Sequence, residues 1–476
     1  MKKYFQFSNK WSPRALYLWV ILLTILYSSL SIIRHNHFQS GGFDLGIYDQ
    51  SVWQYAHFLS PYSTVKERFV LGDHFALTLP LLAPIFLLFD NVRALLFFQA
   101  FWLSVSAIGI YKIANRKLSS FVALVIAFVY SIFYGIQFAV FFDFHPVIIG
   151  VGLLPWIAYL LETKRKMLLV VFIAILLLTQ ENMGIALASL GCCYLFVKEY
   201  RKQAFLFIIV GVISSLLLLK ITALLSPIGY EYSSQISLNP FTVFADFFNS
   251  PEKQQVWFYS LGSFGFLPLL SPGAMLGVLL DLAQYFVTGP GLSRMWSPFM
   301  HHRAILAPLL AIGTIQAMMF LKSKRIPSEY VAAALVVFVL LFQYMNHFPL
   351  NKLSKAEYWR DEAWMHDNAT LLSLVPKDSS VAAPQNLLPH LSHRKEIYLV
   401  WPRQKEMSAC ETKSCWWLDF AGKPEYLVLD KRHEQWVTQI LESNEHFQEA
   451  IKNMEKAQRI QPVRQVGDAV LYRVNY

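Results

Sequence analysis

Charge is the first thing this sequence lacks. Only 15% of its 476 residues are Asp, Glu, Lys or Arg, while 55% are hydrophobic. Soluble domains average about 25% and about 45–50%, so a water-soluble globule is excluded. Cysteine is scarce too. Only four occur, and the one pair in the C-terminal segment is too sparse for a metal site. Cys192 and Cys193 sit side by side in an apolar run and read as packing residues, whereas Cys410 and Cys415, spaced Cys-x4-Cys, suit a bridge if their segment is extracytoplasmic. Repeats and low-complexity segments are absent. No small-residue cleavage site follows the first apolar run, which therefore reads as a retained span rather than a removable signal.

What the chain does have is apolar runs approaching the length a helix needs to cross the hydrocarbon core, about 20 residues. They fall at 16–33, 94–113, 121–141, 147–161, 167–179, 183–197, 204–225, 256–270, 274–288, 304–321 and 330–347. About eleven transmembrane helices are expected, several of them short. With the N-terminus inside, the cytoplasmic segments collect Lys2, Lys3, Lys10 and Arg14, then Lys112, Arg116 and Lys117, then Lys164, Arg165 and Lys166, then Lys198, Arg201 and Lys202, then Lys322, Lys324 and Arg325. That is the positive-inside pattern. It accounts for the formal charge of +10 without nucleic acid. The apolar stretch 75–89 fits this topology only if it does not cross. Pro80 and Pro84 interrupt it, and it reads as a juxtamembrane helix in a long first external loop.

After about Asn346 charge returns, and residues 351–476 are expected to form a small extracytoplasmic α/β domain beside the all-α membrane domain of residues 1–350. The signals are amphipathic stretches at 355–374 and 434–454 and β-like runs at 379–383, 396–401, 426–430 and 469–474. The whole describes an integral protein of a prokaryotic plasma (inner) membrane.

In so apolar a chain, ionisable groups at membrane depth are costly and point to a site. The first external loop carries Asp44, Asp49 and Gln50 on a stretch whose apolar residues Leu45, Tyr48, Val52, Trp53 and Ala56 recur at helical spacing. That is an amphipathic helix in the interface, with Asp44 either a functional acid or merely an N-cap. His74 precedes the juxtamembrane helix, which it could simply anchor. Asp143 and His145 lie between the third and fourth spans, and Glu181 between the fifth and sixth. Solvated turns would explain either alone, though Glu181 interrupts a run that is otherwise nearly continuous. Lys220 could snorkel to headgroups. Arg294, His301, His302 and Arg303 could form a lipid-phosphate belt. Together, however, these acids and cations map to one face of the expected topology. Acids there can deprotonate an acceptor or hold a divalent cation, and cations can neutralise a departing phosphate.

Several motifs carry a resemblance. Phe43-Asp-Leu-Gly-Ile-Tyr-Asp-Gln50 with Trp53, Asp73-His74 followed by Pro80 and Pro84, Asp143-Phe-His145-Pro146, Gln180-Glu181-Asn182, and Leu388-Pro-His-Leu-Ser-His-Arg394 with Ile397-Tyr398 together resemble a family of prokaryotic membrane proteins, domain of unknown function 2079. At one remove the layout is similar to glycosyltransferases of the C superfold (GT-C), which use polyprenyl-phosphate-linked sugars and commonly invert the anomeric centre. That likeness implies an acceptor-activating or metal-binding role for Asp44, a second acid at Asp143, and support from Glu181 and His145, with Mg or Mn as the possible cation. Asp49, Gln50, His74, Lys220, Arg294, His301, His302 and Arg303 would bind substrate. In the superfold an acidic pair and a Lys-Pro-Pro element are usual; here Leu45-Gly46 follows the first acid and Asp73-His74 stands in the second place.

The expected function is therefore a membrane glycosyltransferase acting at the outer face on an acceptor glycan, lipid or protein. A transporter or lipid flippase would instead show paired broken spans and ionisable groups in both halves. A non-catalytic scaffold would tolerate replacement of Asp44 and work through residues 351–476 alone.

Overall fold

The computed structural model describes residues 11–232, 239–433, 435 and 442–476. Lys2, Lys3 and Lys10 lie outside the described residues, as do parts of the expected external loop 226–255 and of the expected helix 434–454. The protein is mostly helical, with a small sheet near its C-terminus. Among the described residues, five helices are long and apolar enough to cross a membrane: Ser12–Asn36, Arg93–Asn115, Arg201–Leu225, His301–Ser323 and Ser328–Met345. Ser120–Ser131 and Tyr134–Phe142, bent by 41° at their junction, make a sixth if taken as one span. Of the other expected spans, three fall on the shorter apolar helices Val147–Glu162, Lys166–Leu177 and Met183–Tyr194, and two on Pro251–Gly262 and Pro272–Phe286. A 12-residue helix is only about 18 Å long against a hydrocarbon core of about 30 Å. Length alone thus supports five or six crossings rather than the expected eleven. The stretch around Pro80 and Pro84 folds as Leu79–Leu88, about 15 Å long and likewise too short to cross.

The chain forms two compact units. The first comprises Met1–Ser31, Leu71–Thr78 and Leu96–Lys355. Helices Pro251–Gly262 and Pro272–Phe286 begin on side-chain caps: Ser250 and Ser271 each accept a backbone N–H of the following turn, with Pro251 and Pro272 at the first helical positions. Helices Met183–Tyr194 and Arg201–Leu225 cross at Gly184 and Gly211, where a Cβ on either would meet the other's carbonyl oxygen at 2.2 Å. Lipid tails give apolar helices no hydrophobic reason to associate, so close approach at small residues supplies the attraction. Gly135, just after the bend, lies where a Cβ would come 2.7 Å from the carbonyl oxygen of Arg303. This close packing of helix Tyr134–Phe142 against the 3-10 turn His301–Ile305 holds the start of the last-but-one span.

The second unit comprises Ile32–Val70, Leu79–Leu95 and Ala356–Tyr476. Near its start, β1 (Tyr62–Ser63) and β2 (Arg68–Phe69) form a short hairpin. Its main sheet has six strands: β3 (Val381–Ala383), β4 (Ile397–Lys405), β5 (Cys415–Phe420), β6 (Tyr426–Asp430), β7 (Ile460–Val466) and β8 (Ala469–Val474). They lie in the order β5-β4-β3-β6-β8-β7, with β3 parallel to both neighbours and the other pairs antiparallel. The period-2 alternation of strands divides the core into two layers. Tyr398, Val400, Leu427, Leu429, Val470 and Tyr472 face helix Asn444–Lys456, while Ile397, Leu399, Val428 and Leu471 face helix Ala363–Ser373. A disulfide joins Cys410 to Cys415.

The first loop is built into this unit. Leu45, Tyr48, Val52 and Ala56 were expected to face the membrane interface; all four are buried in protein. The backbone N–H of Gly42 donates to the Gln385 carbonyl at 2.9 Å, and Gln50 donates to Thr64 and to the Lys395 carbonyl, both at 3.1 Å. Thr64 in turn accepts from the Ile397 N–H at the start of β4. The helix packs against the Leu79–Leu88 segment, and burying its apolar side in protein satisfies it as well as a headgroup layer would.

Candidate functional site

Glu181 follows helix Lys166–Leu177 and precedes Met183–Tyr194, and its side chain is 1% exposed. One carboxylate oxygen accepts from His74 Nδ1 at 2.8 Å and from the Tyr230 hydroxyl at 3.1 Å. The other accepts the Phe75 N–H at 3.0 Å. Burial pushes Glu181 up, but the His74 imidazole and these hydrogen bonds outweigh it and hold the carboxyl below its ordinary value. Glu181 is thus an ionised acceptor that keeps the His74 proton on Nδ1. Gln180 lies 3.2 Å from the same nitrogen, and Tyr232 stacks on the His74 ring at 5.0 Å.

Two further paths lead from this pair to a group of cations within the same unit. Arg294 lies over Tyr232 at 6.0 Å. Asn182, next to Glu181, donates to the Tyr285 hydroxyl at 3.2 Å. Tyr285 stacks on His302 at 4.0 Å and underlies the Arg303 guanidinium at 5.2 Å. His301 stacks on His145 at 3.6 Å, and the Phe142 ring next to buried Asp143 lies 5.8 Å from His301.

Arg303 is 1% exposed. Its Nε donates to the Ser297 carbonyl at 3.2 Å and Nη2 to the Met295 carbonyl, while Phe286 covers it at 5.1 Å. Among the described residues no carboxylate forms a salt bridge with it, and its Nη1 has no partner. Nearby buried atoms share that condition: Asp281 Oδ2, His301 Nδ1, His302 Nε2 and Asn182 Oδ1. Buried polar atoms are normally paired. A concentration of partnerless ones around a guanidinium marks a place built to meet something polar.

The first unit therefore brings together His74, Glu181, His145, Arg294, His301, His302 and Arg303, with Asp143 buried at the same helix end. Lys220 stands apart, exposed on helix Arg201–Leu225. Asp44, Asp49 and Gln50 belong to the second unit. Asp44 is half-buried within the π turn Gly42–Gly46, inside the turn rather than capping it. Among the described residues no three His, Cys, Asp or Glu side chains are grouped to hold a metal ion. Sequence reasoning passed over Asp281, Tyr230, Tyr232 and Tyr285, and also Lys253, a buried cation whose Nζ donates to Asn249 and the Phe286 carbonyl at 2.8 Å each. Asp281 had a readable signal, an acid inside the apolar run 274–288.

Asp49 is fully buried and accepts from Ser392 at 2.5 Å, while His393 Nε2 lies 3.0 Å from it and His393 Nδ1 lies 2.5 Å from Asp90. Burial pushes the His393 imidazole down, but the two carboxylates prevail and hold it above its ordinary value. A group raised in the folded state stabilises fully below its unfolded value, about 6.5, and the gain is lost as pH climbs through the raised value. His393→Ala is expected to cost about 1–2 kcal/mol near pH 6 and progressively less above pH about 7. Thermal unfolding of the detergent-solubilised pair across that range checks it; a pH-independent difference would refute the ion-pair account.

No curated protein matches the chain. A family model described as predicted membrane protein (DUF2079) matches residues 34–457, a span that takes in both the His74–Glu181 pair with its cations and the Asp49–His393 tie. The chain belongs to that family of membrane proteins.

Proposed function

We propose that this membrane protein is a glycosyltransferase that moves a sugar from a polyprenyl-phosphate carrier to an acceptor hydroxyl. One observation carries the reading: the buried Arg303 guanidinium, without a carboxylate salt bridge among the described residues, is linked through Tyr285 and Asn182 to the Glu181 that holds the His74 imidazole in one tautomer. An unpaired buried cation is costly unless an anion completes it. A lipid-linked donor brings a phosphate.

In this mechanism the acceptor oxygen forms its bond to the sugar's anomeric carbon as the bond from that carbon to the phosphate oxygen breaks. The electron pair stays on the phosphate, where Arg303 stabilises it, with Arg294, His301 and His302 as further donors. The acceptor proton passes to His74, and Glu181 stabilises the resulting imidazolium. Attack opposite the departing phosphate inverts the anomeric centre. Asp143 and His145 shape the same helix end. A GT-C-like architecture, the outward placement of the site and a prokaryotic plasma membrane belong to the proposal. The basic loops and the Cys410–Cys415 disulfide support that orientation, because disulfides persist in oxidising compartments. Asp44 and Asp143 lie in different units, and among the described residues no three-ligand group is assembled, so no step is assigned to a divalent cation.

The test supplies membranes from cells lacking the protein with a polyprenyl-phosphate-linked labelled hexose and then adds the purified protein. Label leaving the carrier only with the protein present supports transfer. Label that crosses the bilayer while still on its carrier favours the flippase reading, which the buried Asp281 and Arg303 would also suit. Label that does neither overturns the transferase.

A further inference from the structure

The second unit holds a cationic cleft that none of the preceding chemistry uses. Two adjoining hollows of about 430 and 270 Å³ share Arg93, Leu372, Ser373 and His390 on their walls. Their charged lining is Arg93, Lys377, His393 and Arg394 against Asp90 and Asp361. Both acids are already engaged, Asp90 by His393 at 2.5 Å and Asp361 by His37 at 3.1 Å. His393 is matched by Asp90 and Asp49, whereas Arg93, Lys377 and Arg394 have no salt bridge among the described residues. Arg93 is held by neutral amides, its Nε and Nη2 on Asn36 Oδ1 at 2.9 and 2.7 Å and its Nη1 on Asn91 Oδ1 at 3.3 Å. Its charge is oriented without being cancelled. Arg394 is anchored on the carbonyls of Leu391, Pro376 and Ser379. Lys377 has no hydrogen bond or ion pair among the described residues.

A second observation points to a ligand. The rings of His35 and His390 stack at 4.0 Å, and each keeps a buried Nε2 without a protein partner among the described residues. His35 itself is fully buried and lines the smaller hollow. His390 bonds the His35 backbone, and burial holds its imidazole down to about 3, so it is neutral. With its proton engaged at that bond, its remaining nitrogen is an acceptor. The cleft thus offers cations for an anion and an acceptor for a hydroxyl. Asn36 closes one candidate span and Arg93 opens another, which sets the cleft at headgroup depth.

We infer that this cleft binds a phosphate ester bearing a free hydroxyl, the phosphate on Arg93 and Lys377 and the hydroxyl donating to His390. A phosphatidylglycerol headgroup and a free glycerol phosphate share that chemistry. The inference does not depend on the transferase reading, because it concerns binding and requires no turnover.

The experiment uses the full-length protein in detergent and measures lipid retention by native mass spectrometry. Wild type is expected to retain phosphatidylglycerol about tenfold over phosphatidylcholine. Lys377→Glu, a change at a side chain with no structural partner, should lower that retention about fivefold or more with an unchanged melting temperature. Arg93→Gln should do the same where it folds. His390→Phe should erase the preference for phosphatidylglycerol over phosphatidic acid, which lacks the glycerol hydroxyls. Competition by millimolar glycerol 1-phosphate identifies a soluble ligand, and its failure identifies the lipid. Equal retention of phosphatidylglycerol and phosphatidylcholine, or equal retention by wild type and Lys377→Glu, overturns the proposal.

Discussion

Under the proposed transferase mechanism, Arg303→Gln is expected to slow transfer from a polyprenyl-phosphate-linked sugar by about 10²–10³-fold, the usual loss when one preorganised donor is removed from a developing charge. The size follows from the side chain's setting. Its guanidinium is clamped by the Ser297 and Met295 carbonyls and by the Tyr285 and Phe286 rings, and Nη1 is left over. A donor fixed in advance needs no reorganisation as the phosphate departs. Arg303→Lys should recover only part of the rate, since one ammonium cannot hold two carbonyls and still present a rigid donor. The melting temperature separates this role from a structural one. Asp281 acts on Arg303 through space but forms no salt bridge with it among the described residues, and a buried cation so weakly compensated is costly, so Arg303→Gln should leave the melting temperature unchanged or slightly raised. An arginine kept only for packing would behave in the opposite way. Full transfer by a well-folded Arg303→Gln protein in proteoliposomes would remove the phosphate role.

Glu181→Gln carries the other large effect, an expected loss of about 10²–10⁴-fold in transfer, by the logic of a carboxylate that fixes its histidine's tautomer. An amide can turn its NH₂ towards His74 Nδ1 and favour the wrong tautomer. The same residue sets an acid-stability limit. Its folded value lies below the ordinary 4.5, so its contribution is complete above that value and is lost as pH falls through the lower one. Wild type should therefore lose more stability than Glu181→Gln between pH about 5 and pH about 3, read by thermal unfolding in detergent. Asp44→Asn belongs in the same assay, because the expectation from the sequence gives acceptor activation to Asp44, whereas the proposed mechanism gives it to His74. If His74→Gln transfers normally and Asp44→Asn does not, the base is Asp44.

The membrane character was legible from composition and from apolar runs alone. Helices Arg93–Asn115 and Arg201–Leu225 match runs read directly from residue order, because a span is a local property: each residue's cost in lipid is set by its own side chain. Strands β4, β6 and β8 were legible for a similar reason, since alternation is visible along a single strand. Strands β5 and β7 were not. β7 is a polar edge strand containing Pro462, and an edge strand carries little of the two-faced pattern.

Part of the candidate site was legible as chemistry but not as geometry. Local sequence marked His74, Glu181 and Arg303 as expensive residues, yet only folding shows that Glu181 meets His74 across 107 positions and that Arg303 keeps a donor in reserve. The first loop teaches the same lesson more sharply. Its apolar helical face was plain in residue order, but nothing local distinguishes a face meant for headgroups from one meant for protein. The partner was decided by Gln50 reaching Lys395 and Asp49 reaching Ser392 and His393. Spacing along the chain records which side of an element is apolar; which surface covers it is a long-range event, settled only when remote segments bury one another.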